Sequence, residues 1–239
     1  MKKNWNKMNI LKTFIGLFLP KICLGCDKQL LKNENFLCSN CTNSITFLEN
    51  ICPICGAPET EHGCKVCGNH KFFFDKARSV FIFSTTIQKM IHEFKYNEMT
   101  RIAKIFGKLS QEYFEKYQPF DYIDYIIPVP LHRVRKRSRG FNQAELLARE
   151  ISKRMNWEYL PNLIKRKRFT ETQTKLNREQ RKENVSFAFK INPEYSIKGK
   201  NILLVDDVFT TGSTTNSIAA VLKGEQVNKV YVLTIARAL

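Results

Sequence analysis

At 239 residues with 43% hydrophobic side chains, the chain is long enough for one large domain, or for a core domain with a small added module. A core of that size excludes a scaffold held together only by disulfides. Lysine and arginine number 39 against 22 aspartate and glutamate residues, a formal charge of +17, and this excess calls for a polyanionic partner.

Lys2, Lys3 and Lys7 precede an apolar stretch from Ile10 to Pro20, the outline of a signal peptide. Lys12 interrupts that stretch, and Pro20, Lys21 and Ile22 do not offer the small residues that cleavage requires. The stretch is also too short to cross a bilayer. It reads as a helix packed on the protein, with weak peripheral membrane association as the second reading, and the expected location is cytoplasmic.

Every cysteine lies before residue 68, in four Cys-x-x-Cys knuckles: Cys23 and Cys26, Cys38 and Cys41, Cys52 and Cys55, Cys64 and Cys67. Two knuckles supply four thiolates to one tetrahedral metal, so four knuckles predict two structural zinc sites with no open coordination position. Pairing of first with second and third with fourth leaves the shortest loops; crossed pairing stays open. A thioredoxin-like redox role is the rival, but it needs a knuckle at a helix N-terminus within a βαβ unit. His62 and His70 read as solvated surface residues, because eight thiolates already complete two sites.

From residue 78 onward, apolar runs alternate with amphipathic stretches, the pattern of an α/β domain with a mostly parallel sheet. Strands are predicted near residues 79–83, 122–129, 163–165, 202–206 and 230–235. Helices are predicted near residues 87–117, with a break around Asn97, and near 141–155 and 213–222. After the strand ending Pro128-Val129-Pro130 comes a basic run with His132, Arg133, Arg135, Arg137 and Arg139, then Gly140-Phe141-Asn142-Gln143. Leaving a strand of the same sheet, this run is a candidate anion site.

Ile202 to Val205 form a strand buried on both faces, which delivers Asp206 and Asp207 into the turn Val208-Phe209-Thr210-Thr211-Gly212-Ser213-Thr214. Adjacent carboxylates suit the vicinal hydroxyls of a ribose, while the N–H groups opening the next helix suit a phosphate. Gly212 allows close backbone approach. Neither a Gly-Lys-Ser/Thr phosphate loop nor a Gly-x-Gly-x-x-Gly fingerprint occurs, which removes kinase and dehydrogenase readings.

This acidic-pair loop resembles the phosphoribosyl diphosphate (PRPP) loop of type I phosphoribosyltransferases. Together with Pro128-Val129-Pro130-Leu131-His132, Arg139 to Gln143 and the cysteine knuckles, all in the same order, it is similar to the ComF/GntX family over nearly the whole chain. The resemblance implies a type I phosphoribosyltransferase-like, mostly parallel sheet with helices on both faces (residues 73–239) and a small N-terminal zinc-ribbon module (residues 1–72). It implies a phosphoribosyltransferase using PRPP with Mg²⁺, with Asp206 and Asp207 catalytic. Val208 to Thr214 would bind PRPP, with His132, Arg133 and Arg135 on the diphosphate side. Gln173, Leu176, Arg178, Arg181 and Asn184 match the family's hood segment. It further implies a role in natural transformation, with single-stranded DNA, a ComFA-type DNA-uptake helicase and recombination factors as partners. The expected DNA contacts are Arg137, Arg139, Phe141, Arg166, Lys167, Arg178 and Arg181, with Phe141 and Phe169 as candidates for base stacking; closure of Arg166 and Lys167, or of Arg178 and Arg181, over the diphosphate is the equal alternative for those four. Two other readings remain: a metabolic or salvage phosphoribosyltransferase, and a non-catalytic zinc-containing DNA or protein adaptor. No local pattern defines a nucleobase pocket, so the donor is specified and the acceptor is not.

Overall fold

The computed structural model describes residues 21–34, 36–96, 99–131, 137, 139–166 and 188–238. The expected helix in the apolar stretch 10–20 and the hood segment lie outside the described residues, as do His132, Arg133, Arg135, Lys167 and Phe169.

Two short helices, α1 (Ser39–Asn43) and α2 (Lys65–Asn69), belong to the cysteine-bearing segment. The chain then enters β1 (Lys76–Ile82), α3 (Thr85–Tyr96), α4 (Met99–Tyr117), β2 (Tyr125–Pro128), α5 (Gln143–Met155) and β3 (Glu158–Tyr159). It continues through β4 (Ile164–Arg166), β5 (Phe189–Ile191), β6 (Asn201–Phe209), α6 (Ser213–Gly224) and β7 (Lys229–Arg237). Five strands form one sheet in the order β1-β7-β6-β2-β3, and each neighbouring pair is parallel.

Parallel strands buried on both faces need apolar side chains in both directions, and β6 provides them. Leu203 and Val205 join Ile126, Tyr231, Leu233 and Ile235 in a core with α3, α4 and α5. Ile202 and Leu204 join Ile127, Val230 and Val232 in a second core under α6. The helices are shaped for these cores: α3 buries Ile87, Met90, Ile91 and Phe94, the spacing of one helical face. Asn142 caps α5 by accepting from the Ala144 N–H at 3.2 Å, and Asn156 closes it in the left-handed conformation (φ 54°). The break expected around Asn97 falls between α3 and α4.

One strand departs from expectation. The segment near 163–165 does not join the parallel sheet; β4 pairs antiparallel with β5 in a separate two-stranded sheet. Ile164 and Phe189 from this hairpin are buried in the α6-side core. The fifth parallel strand is instead β3, whose two residues pair with Tyr125 and Ile126. Two residues carry no readable alternation, so only the tertiary pairing reveals them.

Unequal strand lengths then open the site. The pairing of β6 with β7 runs from Asn201↔Lys229 to Phe209↔Arg237, whereas its pairing with β2 stops at Val205↔Pro128. Pro128 has no N–H to extend that ladder, and after the Val129 N–H reaches the Val205 carbonyl at 2.9 Å the chain turns away. Beyond this point β2 leads through α5 to β3 on one side, and β6 leads through α6 to β7 on the other. Such a divergence at the carboxyl ends of parallel strands leaves a crevice.

Candidate functional site

A cleft of about 550 Å³ occupies this crevice. Its size falls within the roughly 300–1,000 Å³ of small-molecule sites. One wall is Asp206 to Phe209 of β6 with Thr210, Gly212, Ser213, Thr214 and Thr215. Opposite lie Val129, Pro130 and Leu131, with Asn142, Gln143 and Ala144 at the start of α5. Lys95 at the end of α3, Arg139 and Arg166 supply positive charge.

The two acids are held differently. The Asp207 carboxylate pairs with the Lys95 ammonium at 2.9 Å and accepts the Val208 N–H at 2.8 Å. Asp206 accepts the Asp207 N–H at 2.9 Å. Burial, and next the adjacent Asp207 charge, push the Asp206 carboxyl well above the ordinary carboxylate range, with Lys95 and the Asp207 N–H opposing. A ligand that brings hydroxyl donors or a cation to the pair would relieve that electrostatic cost.

The turn after β6 is built around Gly212, which has φ 73° as the N-cap of α6. A Cβ at this position would lie 2.5 Å from the Phe209 ring, so both backbone and packing require glycine. Thr215 Oγ1 donates to the Gly212 carbonyl at 2.9 Å, and Thr211 Oγ1 accepts the Ser213 N–H at 3.3 Å. Thr211 therefore shapes the loop without lining the cleft, while the other sequence-predicted loop residues line it. Gly212→Ala should destabilise the protein by about 1–3 kcal/mol and weaken binding of a phosphate-bearing ligand about tenfold or more. Thermal unfolding and calorimetric titration of the variant check both numbers.

The basic residues sort differently from their sequence grouping. Arg139 and Arg166, each expected either at the anion site or in a DNA groove, line the cleft. Arg137 is exposed, and Phe141 is half-buried beside the cleft-lining start of α5. Gln143, Asn142 and Lys95 were not among the candidate ligand contacts. Gln143 is 2% exposed, and its Nε2 has no hydrogen-bond partner among the described residues. An unpartnered buried donor is costly, and a ligand oxygen in the cleft would satisfy it. The motif Arg139 to Gln143 was a usable signal for Asn142 and Gln143. Lys95 sits in an ordinary amphipathic helix and carried none.

The cysteines form two groups, Cys23, Cys26, Cys38 and Cys41, and Cys52, Cys55, Cys64 and Cys67, with ligand atoms within 4.8 Å of one another in each. This is the pairing of consecutive knuckles. Sulfur separations of 3.7 Å (Cys26 to Cys38), 3.6 Å (Cys52 to Cys67) and 3.4 Å (Cys55 to Cys64) fit a tetrahedron. Four sulfurs 2.3 Å from one zinc would be about 3.8 Å apart. Against the effect of burial, the N–H groups of Cys38, Gly25 and Cys26 bring the Cys23 thiol down to about 7. Burial and then the neighbouring thiols push Cys41 up to about 12. Four thiols this close cannot all ionise without a cation among them, which is the chemistry of a structural zinc site. His62 and His70 are exposed and belong to neither group. No helix among the described residues is long and apolar enough to cross a membrane.

Comparison with known proteins agrees with both halves of this architecture. A phosphoribosyl transferase domain matches residues 95–238, and a double zinc ribbon domain matches residues 14–71. The chain is 30% identical over 220 residues to competence protein ComFC of Bacillus subtilis, covering 84% of this chain and 88% of that protein. It is 30% identical over 223 residues to competence protein F of Haemophilus influenzae, covering 90% and 96%. It is 29% identical over 228 residues to the DNA utilization protein YhgH of Escherichia coli, covering 93% and 100%. With its parallel sheet, acidic-pair cleft and paired cysteine quartets, the chain belongs to the ComF family of double-zinc-ribbon proteins with a phosphoribosyl transferase domain.

Proposed function

We propose that this chain binds PRPP in the β2/β6 cleft, transfers its phosphoribosyl group, and acts in natural transformation, where it also engages single-stranded DNA. The observation that supports the donor assignment is that Asp206, Asp207 and the Gly212 turn line one cleft together with Gln143, Arg139 and Arg166. Asp206 and Asp207 accept the ribose 2′- and 3′-hydroxyls. The N–H groups after Gly212, with Ser213 and Thr214, hold the 5′-phosphate. Arg139, Arg166 and the buried amide of Gln143 face the diphosphate, and Arg133, Arg135 and His132 lie in the adjoining segment.

In the transfer, the bond between C1 and the diphosphate oxygen breaks, diphosphate leaves with the electron pair, and the acceptor forms the new bond to C1 and loses its proton. The carboxylates stabilise positive charge developing on the ribose, and the cations stabilise the leaving group. Adjacent carboxylates with a ribose are a hard oxygen set suited to Mg²⁺, which supplies charge neutralisation to PRPP when bound. The test is calorimetric PRPP binding to the zinc-loaded protein with Mg²⁺, followed by diphosphate release across an acceptor series that includes nucleobases and DNA. Binding without release under any acceptor would favour a ligand-sensing adaptor over a transferase.

The names of the relatives support the DNA role: two are competence proteins and one is a DNA utilization protein. The +17 charge supplies the electrostatic basis. At the cleft rim, Tyr96 is 55% exposed, with His92 4.9 Å away ring to ring and the Arg139 guanidinium 5.6 Å from its centroid. An exposed ring beside an imidazole and an arginine guanidinium is a stacking platform for a base. Tyr96→Ala should weaken binding to a single-stranded oligonucleotide by about 1–3 kcal/mol with the salt slope unchanged. Arg137→Ala should lower that slope by about one. Fluorescence anisotropy at several salt concentrations reads both, and slope changes of the opposite assignment would refute the division of roles.

A further inference from the structure

The second cysteine site is seated on the same structural members that support the phosphate loop. Every carbonyl of the knuckle Cys52-Pro53-Ile54-Cys55 accepts a hydrogen bond from the sheet. Arg78 Nη1 donates to Cys52 at 3.3 Å and Nη2 to Pro53 at 3.0 Å; the Ala77 N–H reaches Ile54 at 2.7 Å, and Arg237 Nη1 reaches Cys55 at 2.8 Å. Gly56 follows with φ 69°, and a Cβ there would lie 2.6 Å from the Ala77 carbonyl oxygen. The knuckle therefore lies directly against β1.

Arg237 ends β7 and is only 4% exposed, and no carboxylate pairs with it among the described residues. Its guanidinium sits 4.5 Å from the centroid of Phe209, the ring that fills the space beside Gly212. A buried arginine needs a counter-charge, and four thiolates around one Zn²⁺ carry a net charge of −2. The Arg237 guanidinium thus meets the metal knuckle through Nη1 and the Phe209 ring, the floor of the phosphate loop, through its face. A second strut runs through Asn216 in the first turn of α6. Its Oδ1 accepts the Phe73 N–H at 2.6 Å and its Nδ2 donates to the Lys71 carbonyl at 3.4 Å, in the segment just after Cys67.

Among the described residues the first cysteine site shows no hydrogen bond to Arg237, Phe209 or the turn after β6; its nearest route to the cleft is along α3 to Lys95. Its segment meets the opening of α3 through the Ser44 and Thr86 hydroxyls at 3.0 Å and the Asp27–Lys89 ion pair.

We infer that metal in the second cysteine site and ligand in the phosphate loop are energetically coupled, with Arg237 and Phe209 as positioning residues, while the first site stands apart. Metal at Cys52, Cys55, Cys64 and Cys67 holds the knuckle that fixes Arg237, and Arg237 fixes Phe209 beneath Gly212. Linkage makes the effect reciprocal: a ligand in the loop raises the affinity for the second zinc by the factor with which that zinc improves ligand binding, and tighter zinc is read as slower release. The ligand half of this inference rests on the PRPP-site reading, and the structural half does not.

The test uses the full zinc-loaded chain with two readouts. Zinc release to a chromophoric chelator is followed with and without PRPP and Mg²⁺, its phases assigned with Cys26→Ser and Cys64→Ser. Amide exchange over residues 209–216 is measured in wild type, Arg237→Lys and Arg237→Met. PRPP is expected to slow the second-site phase about tenfold and leave the first unchanged. With both zinc ions bound, Arg237→Met is expected to raise loop exchange about tenfold and cancel the PRPP effect on release. Equal slowing of both phases, or loop exchange in Arg237→Met equal to wild type, overturns the coupling. Should Arg237→Met not fold, loop exchange in Cys64→Ser against Cys26→Ser decides: an increase confined to Cys64→Ser supports the coupling, and no difference overturns it. Should wild type not bind PRPP, the exchange readout decides in the same way, and the PRPP-site reading falls separately.

Discussion

Replacing Asp206 and Asp207 together with asparagine is expected to weaken PRPP binding about 100-fold or more while zinc content and fold persist. Each carboxylate exchanges a charge-assisted hydrogen bond to a ribose hydroxyl for a neutral one, and two such losses amount to about 3–6 kcal/mol. Stability should move the other way for Asp206→Asn alone. Burial and then Asp207 raise the Asp206 carboxyl well above its unfolded value. A group shifted in that direction contributes its stability below the unfolded carboxylate pKa and loses it as pH rises through the folded value. At pH 8, above the unfolded carboxylate range, the wild type therefore carries the cost of holding this half-buried carboxyl beside Asp207, which asparagine lacks, and the variant should unfold at higher temperature. Near pH 4, where an unfolded aspartate begins to protonate, the difference should close. Calorimetric titration with PRPP and thermal unfolding at the two pH values check the pair. Unchanged affinity in the double variant would remove these residues from the binding site, and a lower melting temperature at pH 8 would show that Asp206 is not held at a cost.

Stripping both zinc ions is expected to unfold the segment around residues 21–72 while the parallel sheet retains most of its secondary structure. The buried clusters in that segment are small: Cys23, Leu30 and Cys41 in one, and Cys52, Cys55 and Ala57 in the other. Clusters of three residues, half or more of them ligands, cannot offset the conformational entropy of the loops they close. The metal supplies the difference, about 10–16 kcal/mol of apparent binding energy for structural zinc near neutral pH. The sheet has its own cores on both faces, with Leu203, Leu204, Val232 and Leu233 fully buried. The measurements are zinc stoichiometry, expected at two per chain, and limited proteolysis before and after chelation, with cleavage confined to the N-terminal segment. A folded, protease-resistant segment without zinc would refute the structural role.

Much of the site was legible because its parts are contiguous. Asp206 to Thr214 occupy one strand end and one turn, so strand burial, acidic pair and glycine could be read together, and all of these residues but Thr211 line one cleft. The cysteine knuckles were equally local, and their consecutive pairing follows from short loops. Arg139 and Arg166 show the limit. Both lie in basic runs, and nothing in a basic run states which wall it faces; the placement of α5 and of the β4/β5 hairpin turned these two toward the cleft. Lys95 and Arg237 were silent in sequence because each acts on a residue more than a hundred positions or several elements away.

The α/β class, the two cysteine quartets and the glycine turn after the acidic pair could all be read from the amino-acid sequence. These depend on local properties: apolar periodicity, ligand spacing and the φ of one glycine. The tertiary structure alone decided that β3 rather than β4 completes the sheet, and that β2 ends four residues short of β6. Tertiary packing also pairs Lys95 with Asp207 and sets Arg237 between the Cys55 carbonyl and the Phe209 ring beside Gly212. Those contacts follow from strand order and pairing length, which are set by how both faces of the sheet are covered at once, and no single stretch of chain carries that sum.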